Sequence, residues 1–184
     1  MRILTASRAR NTEPHCAEYA TLRTNATREE IGRGGYAHDI YQVSLVGSFA
    51  QAVDSLLSYQ IFAPQRMCAR VCTPDRRVAV GATIVQRILL GPAAIESAVR
   101  VIEFEQSVDR AYFAYATLEG HAERGVASFA VKSVAGVVTF EAEAWSKPGT
   151  WLTKLGRPIS RVVQRALTRE AVESFRSRLA SGAG

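Results

Sequence analysis

His121 and Glu123 stand two residues apart in the segment Tyr115-Ala-Thr-Leu-Glu-Gly-His-Ala-Glu-Arg-Gly125. An imidazole titrates near neutrality, so the pair could move a proton or orient a polar group of a ligand. These two are the candidate catalytic residues. The same residue types also suit a plain turn, in which Glu123 and Thr117 accept from loop amides and His121 fixes the reversal. Gly120 and Gly125 are expected there for their freedom to take positive φ. Phe113, Tyr115 and Thr117 share one face of a strand, because side chains alternate along it. They could line a pocket with a hydroxyl at its polar end, or simply fill a core.

Arg100 alternates with Ala98, Ile102 and Phe104. If that set faces inward, a guanidinium enters the interior and could bind a carboxylate, enolate or phosphate. The alternative is an arginine at the rim, paired with a nearby glutamate, since burying it unpaired costs too much. Arg87 faces away from Val80, Ile84 and Ile88 and is expected in solvent. Gln164 interrupts a basic run and could reach back to the sheet. Arg100, Phe113, Tyr115, Thr117 and Gln164 are thus the candidate ligand-binding residues.

The chain carries no Ser-His-Asp order, phosphate loop or dinucleotide fingerprint, and Gly32-Arg-Gly-Gly35 lacks the apolar helix that a phosphate-binding turn requires. No cofactor is implied. Cys16, Cys68 and Cys72 form no Cys-x-x-Cys pair, so no metal site is expected. A strand rise of about 3.3 Å per residue separates Cys68 from Cys72 by ~13 Å, too far for a bond between them. Sparse cysteine fits a reducing compartment, and the N-terminus lacks the apolar run of a secretory signal, so a cytoplasmic location is expected. No apolar run approaches the ~20 residues of a membrane span. The formal charge is +6, much of it on Arg157, Arg161, Arg165, Arg169, Arg176 and Arg178. Such a face could grip phosphates, but no nucleic-acid motif accompanies it; it reads as a solvated helix face, and nucleic acid is not an expected partner.

These residues need elements to hold them. At 184 residues, 47% apolar and 22% charged, the chain fits one soluble domain. Residues 1–35 read as a polar, irregular N-terminal arm, and 36–180 as the folded domain. A strand over Ala37–Val46 is followed by Ser48, a helix cap, and by apolar residues at helical spacing to about Phe62. Six strands follow: Gln65–Thr73, Val78–Leu90, Ala94–Gln106, Arg110–Glu119, Val126–Val134 and Val137–Ser146. In the last, Val138, Phe140, Ala142 and Ala144 alternate with Thr139, Glu141 and Glu143, the pattern of a sheet wet on one side. Pro158–Leu179 reads as a long helix with the apolar stripe Ile159, Val162, Val163, Ala166, Val172, Phe175 and Leu179. Trp145 and Trp151 flank the Lys147-Pro148 turn and are expected to anchor the C-terminal helix. The fold class is α+β: a seven-stranded antiparallel sheet, curved by its own twist, wrapped around the C-terminal helix. This is the helix-grip arrangement of START-like proteins, the superfamily of the birch-pollen allergens.

Between about Tyr19 and Arg176 the chain also resembles a specific family, that of domain of unknown function 1990. The most specific segment is Tyr115–Gly125, which resembles the family's Tyr-Gly-Thr-Leu-x-Gly-His-x-Glu-x-Gly. Ala144-Trp-Ser-Lys-Pro148, Gly156-Arg-Pro158, Arg161-Val-Val-Gln164, Thr168-Arg169 and Arg100-Val101 add to it, with weaker matches at Asn25-Ala-Thr27 and Gly35-Tyr36. The family tends to carry two acidic residues after the loop glycine; Val126 and Ala127 stand there instead. The resemblance implies the START-like fold and leaves activity unassigned.

The functional expectation is binding of a hydrophobic small molecule (a lipid, isoprenoid or polyketide-like compound) between sheet and C-terminal helix. The alternatives are a cyclase, dehydratase or isomerase working on such a ligand, and an interaction or nucleic-acid-binding protein using the arginine-rich helix face. The sequence assigns no oligomeric state.

Overall fold

The computed structural model describes residues 1–149 and 169–180. Its elements are β1 (Arg2–Thr5), α1 (Ala6–Asn11), α2 (Ala17–Ala20), α3 (Arg28–Gly32), β2 (Ala37–Leu45), α4 (Phe49–Leu57), β3 (Met67–Val71), β4 (Thr83–Leu90), β5 (Ala93–Gln106), β6 (Arg110–Thr117), β7 (Glu123–Val134) and β8 (Val137–Pro148). A last helix, α5, is described over 169–180. The expected start of that helix at Pro158, its residues to Thr168 and Trp151 lie outside the described residues.

One antiparallel sheet runs β2-β8-β7-β6-β5-β4-β3. Its inner face carries Ile84, Val99, Val101, Phe113, Phe129, Val131, Phe140 and Ala142, packed against Ala52, Val53, Leu56 and Leu57 of α4 and Ala171, Val172, Phe175 and Leu179 of α5. The Phe140 and Phe175 rings stack with centroids 4.5 Å apart. Sheet and helix therefore meet as the helix-grip reading requires, and the fold is α+β.

α4 begins where Ser48 predicts. Ser48 Oγ accepts from the Gln51 amide at 3.2 Å, and Gln51 Oε1 accepts from the Ser48 amide at 3.2 Å, a reciprocal cap. Ser48→Ala is expected to cost about 1 kcal/mol in urea unfolding, with the sheet unchanged.

Several boundaries move. β4 begins at Thr83 rather than Val78. β7 begins at Glu123, because its ladder with β8 extends to Glu123 opposite Pro148. The turn is thus 118–122, and Glu123 is a strand residue. The largest difference is in residues 1–35, which hold a strand and three short helices in place of an irregular arm. β1 pairs with β5 at residues 93–96, beside the stretch that β6 no longer reaches. The arm covers the outer face of the sheet: Tyr19 packs with Val85, Ala98 and Leu118, and Ala6 and Ala9 with Leu89 and Ala94.

That cover corrects two expectations. Arg87 does face away from the core, but it is 4% exposed. It donates to Glu96 Oε2 at 2.6 Å and to the Ala9 carbonyl at 2.9 Å, and it also bonds the Thr12 carbonyl. The Tyr19 hydroxyl donates to Glu96 Oε1 at 2.7 Å. Secondly, the cysteines are not all reduced. Cys16 in the arm is bonded to Cys72 after β3, with Cα atoms 5.7 Å apart, while Cys68 is free. The thiol argument for a cytoplasmic setting therefore lapses. Among the described residues no helix is long and apolar enough to cross a membrane.

Candidate functional site

The inner face is apolar except along one track. It begins at Tyr59, just past the end of α4, whose backbone takes φ 55° and turns the ring inward. A non-glycine residue in that region pays conformational strain, so the position is held by its surroundings. Gln86 lies on β4 between the inward Ile84 and Ile88, and its Nε2 donates to the Tyr59 hydroxyl at 2.6 Å. The Tyr115 hydroxyl joins both partners. Phe62, Phe113 and Phe129 surround this phenol–amide–phenol cluster, with ring centroids 5.8 to 6.5 Å from Tyr59.

Burial raises the Tyr115 phenol and pushes that of Tyr59 well above its usual range. Both are neutral donors at physiological pH and poor bases. Further along the same face sit Glu123 of β7, Ser146 of β8 and Asp39 of β2. Burial is the main cause raising the Glu123 carboxyl; a hydrogen bond from Ser146 opposes it, and the charge of Asp39 adds to it. Glu123 is near enough to Tyr115 for its charge to raise that phenol further. A carboxyl held toward its neutral form can donate a proton, whereas a solvated one cannot at the same pH.

The remaining sequence candidates are placed as follows. Phe113, Tyr115 and Glu123 share the inner face. Thr117 shares it too, but its hydroxyl is committed: it accepts from the Gly125 amide at 2.9 Å and also bonds Gly125 O and Asn25 Oδ1. His121 is a turn residue. Its Nδ1 accepts from the Glu123 amide at 3.0 Å, and burial lowers its pKa to about 4. The imidazole is therefore neutral at physiological pH, which corrects the expectation that it titrates near neutrality. Gly120 does take positive φ, but Gly125 is needed for another reason: a Cβ there would lie 2.1 Å from the Trp145 carbonyl oxygen.

Arg100 does not enter the interior. A bulge in β5 between Val101 and Glu103 breaks the alternation, so Phe104 joins the core while Arg100 and Glu103 face outward. The Arg100 guanidinium instead grips the arm, donating to the carbonyls of Tyr19 at 2.9 Å, Ala20 at 3.0 Å and Leu22 at 3.0 Å, and to Thr83 Oγ1 at 3.1 Å. Gln164 lies outside the described residues. At the two positions where the resembled family carries acids, Val126 faces outward and Ala127 inward, opposite Tyr115 and Ala144.

Sequence reasoning missed Tyr59, Gln86, Asp39 and Ser146. Gln86 had a readable signal, a lone polar residue at an inward position of an apolar strand. Tyr59 had none, since its backbone turn depends on tertiary packing.

A profile of the family described as "domain of unknown function (DUF1990)" matches residues 18–174. Among solved structures, the fold is similar to a hypothetical protein from Helicobacter pylori, at TM-score 0.58 and 9% identity over 92% of this chain and 96% of that one. It is also similar to major latex-like protein 151 from Panax ginseng, at TM-score 0.55 and 9% identity over 79% of this chain and 99% of that one. A Thermus thermophilus protein gives TM-score 0.57 and 6% identity over 80% of this chain and 100% of that one. At such identities the likeness concerns the fold alone. No curated protein matches the chain by sequence.

Proposed function

The chain belongs to the family of domain of unknown function 1990, and from that premise we propose that it binds a hydrophobic small molecule between sheet and C-terminal helix. The ligand would be a lipid, isoprenoid or polyketide-like compound carrying at least one carbonyl or hydroxyl oxygen. One observation supports this most: the Tyr59–Gln86–Tyr115 cluster inside an aromatic shell. Buried polar groups cost stability unless hydrogen-bonded, and a core with only space to fill has no use for two phenols and an amide. A ligand oxygen would join this hydrogen-bonded cluster, while Phe62, Phe113 and Phe129 would cover its apolar body.

The test is native mass spectrometry of protein purified from its own host, followed by titration with the retained compound. Co-purification of a compound of this class is the expected result. Protein that is empty and takes up no apolar probe would sink the proposal. Tyr115→Phe is expected to weaken an oxygen-bearing ligand about tenfold, the effect of one lost hydrogen bond, and to leave a hydrocarbon analogue unaffected.

The raised Glu123 carboxyl beside Asp39 favours a second reading, a cyclase, dehydratase or isomerase acting on the same ligand. Glu123 would supply the proton and Tyr115 would hold the oxygen on which charge develops. Turnover that survives Glu123→Gln unchanged would remove this reading and leave binding intact. The cytoplasm remains the proposed setting, and a disulfide there is transient rather than permanent.

A further inference from the structure

The outer face holds a pocket, of about 710 Å³, lined by Cys16, Cys72, Ala17, Ala20, Thr83 and Arg100 among others. Both cysteines of the disulfide are half-buried and line it, so the bond borders a pocket open to solution. Arg100 presents an uncompensated charge. Its described partners are three carbonyl oxygens and a hydroxyl, all neutral. In the chain on either side of Cys72, Arg70 and Arg76 share one carboxylate, that of Glu13. An accessible disulfide in a cationic depression favours an anionic attacking thiol, because the field concentrates it and stabilises the departing thiolate.

The bond also fastens something. From Cys16 the arm runs as a strap whose carbonyls at Tyr19, Ala20 and Leu22 are held by Arg100. It then lies against the turn after β6. Glu119 N donates to Arg23 O at 2.9 Å, Thr24 bridges Leu118, and Asn25 N donates to Thr117 O at 2.8 Å. The strap therefore ends on the segment that carries His121 and leads into Glu123.

We propose that the Cys16–Cys72 pocket is a thiol-exchange site for a small carboxylate-bearing thiol, and that the state of this bond fastens or frees the strap over residues 16–25. In the exchange, the incoming thiolate attacks one sulfur. The protein S–S bond breaks, a mixed disulfide forms, and the other cysteine leaves as a thiolate. A second thiolate then displaces the first cysteine. Two small thiols become one small disulfide, and the two protons they bring end on the two protein thiols. The reverse reaction, with the small disulfide as oxidant, refastens the strap. The exchange stands apart from the cavity reading, and only an effect on ligand uptake rests on it.

The test uses the full chain and glutathione, whose two carboxylates are masked in a control by dimethyl esterification. Mass spectrometry after thiol trapping should show reduction by glutathione several-fold faster than by the ester at equal thiolate concentration, with the advantage lost at high salt. A bond that neither reagent opens in native protein, or equal rates for both, overturns the site. Hydrogen exchange at the amides of Asn25 and Glu119 should speed at least tenfold in the reduced protein while β7 and β8 stay protected. Unchanged exchange overturns the strap. Because Cys16→Ser with Cys72→Ser could impair folding, the reversibly reduced native chain is the primary sample, and the double variant should match it.

Discussion

Replacing Arg87 by methionine is expected to destabilise the fold by about 3–5 kcal/mol, read as a shift in the urea midpoint at constant slope. The residue is 4% exposed and its partner Glu96 is 3% exposed, so removing the cation leaves a buried carboxylate held by the Tyr19 hydroxyl and the weaker charge of Arg2. Burial alone would raise that carboxyl. Tyr19 and Arg87 together more than offset it and hold the carboxyl below its usual range. Two arm carbonyls, of Ala9 and Thr12, lose their donor as well. The paired substitution Arg87→Met with Glu96→Leu should recover much of the loss, because what is costly is the unpaired charge rather than the missing attraction. A single variant within about 1 kcal/mol of the wild type would mean that the arm detaches to hydrate Glu96 at little cost.

Acidification between pH 6.5 and 4.5 is expected to remove about 2–3 kcal/mol of stability through His121 alone. The folded imidazole titrates at about 4 against an ordinary 6.5. In that window the unfolded chain takes up a proton that the folded chain refuses, so stability is fully present above 6.5 and falls toward 4. Glu123 works in the opposite sense: its carboxyl is raised in the folded state, so it contributes stability at low pH that is lost as pH rises. The lowered carboxyls of Glu96 and Glu103 lose their contribution only below the ordinary carboxylate range, so in the window the fall comes from the histidine and is offset in part by Glu123. His121→Asn keeps an acceptor for the Glu123 amide without a titrating ring. Its stability should no longer fall with acidification across the window and should keep only the opposite trend set by Glu123, measured by urea unfolding at half-unit pH steps. A variant with the wild-type slope would assign the acid sensitivity elsewhere.

The strands of the sheet were legible because each carries its own evidence. Val138, Phe140, Ala142 and Ala144 face one way in β8 by simple alternation, and all belong to the core or pack against it. Ser48 declared the start of α4 through a local hydrogen bond. The inward placement of Phe113 and Tyr115 followed from the same alternation. What the sequence concealed depends on partners far along the chain. The arm looked irregular because its helices are short and polar, and its burial rests on pairings such as Tyr19 with Glu96, 77 residues away. Cys16 and Cys72, 56 residues apart, meet only when the arm lies across the outer face. The inward alternative for Arg100 failed because a single extra residue in β5 shifted the phase that linked it to Phe104.

That extra residue has an evolutionary consequence. β5 is written in two phases: up to Val101 its even-numbered side chains face the arm, and beyond Glu103 they face the core. A lineage that lost the codon for Ile102 would restore strict alternation with Glu103 still outward and Phe104 still inward, whereas a codon gained or lost elsewhere in the strand would turn the residues beyond it to the wrong face. Point substitutions along this strand can accumulate one at a time. A change in its length away from the bulge cannot, unless a compensating change nearby restores the phase.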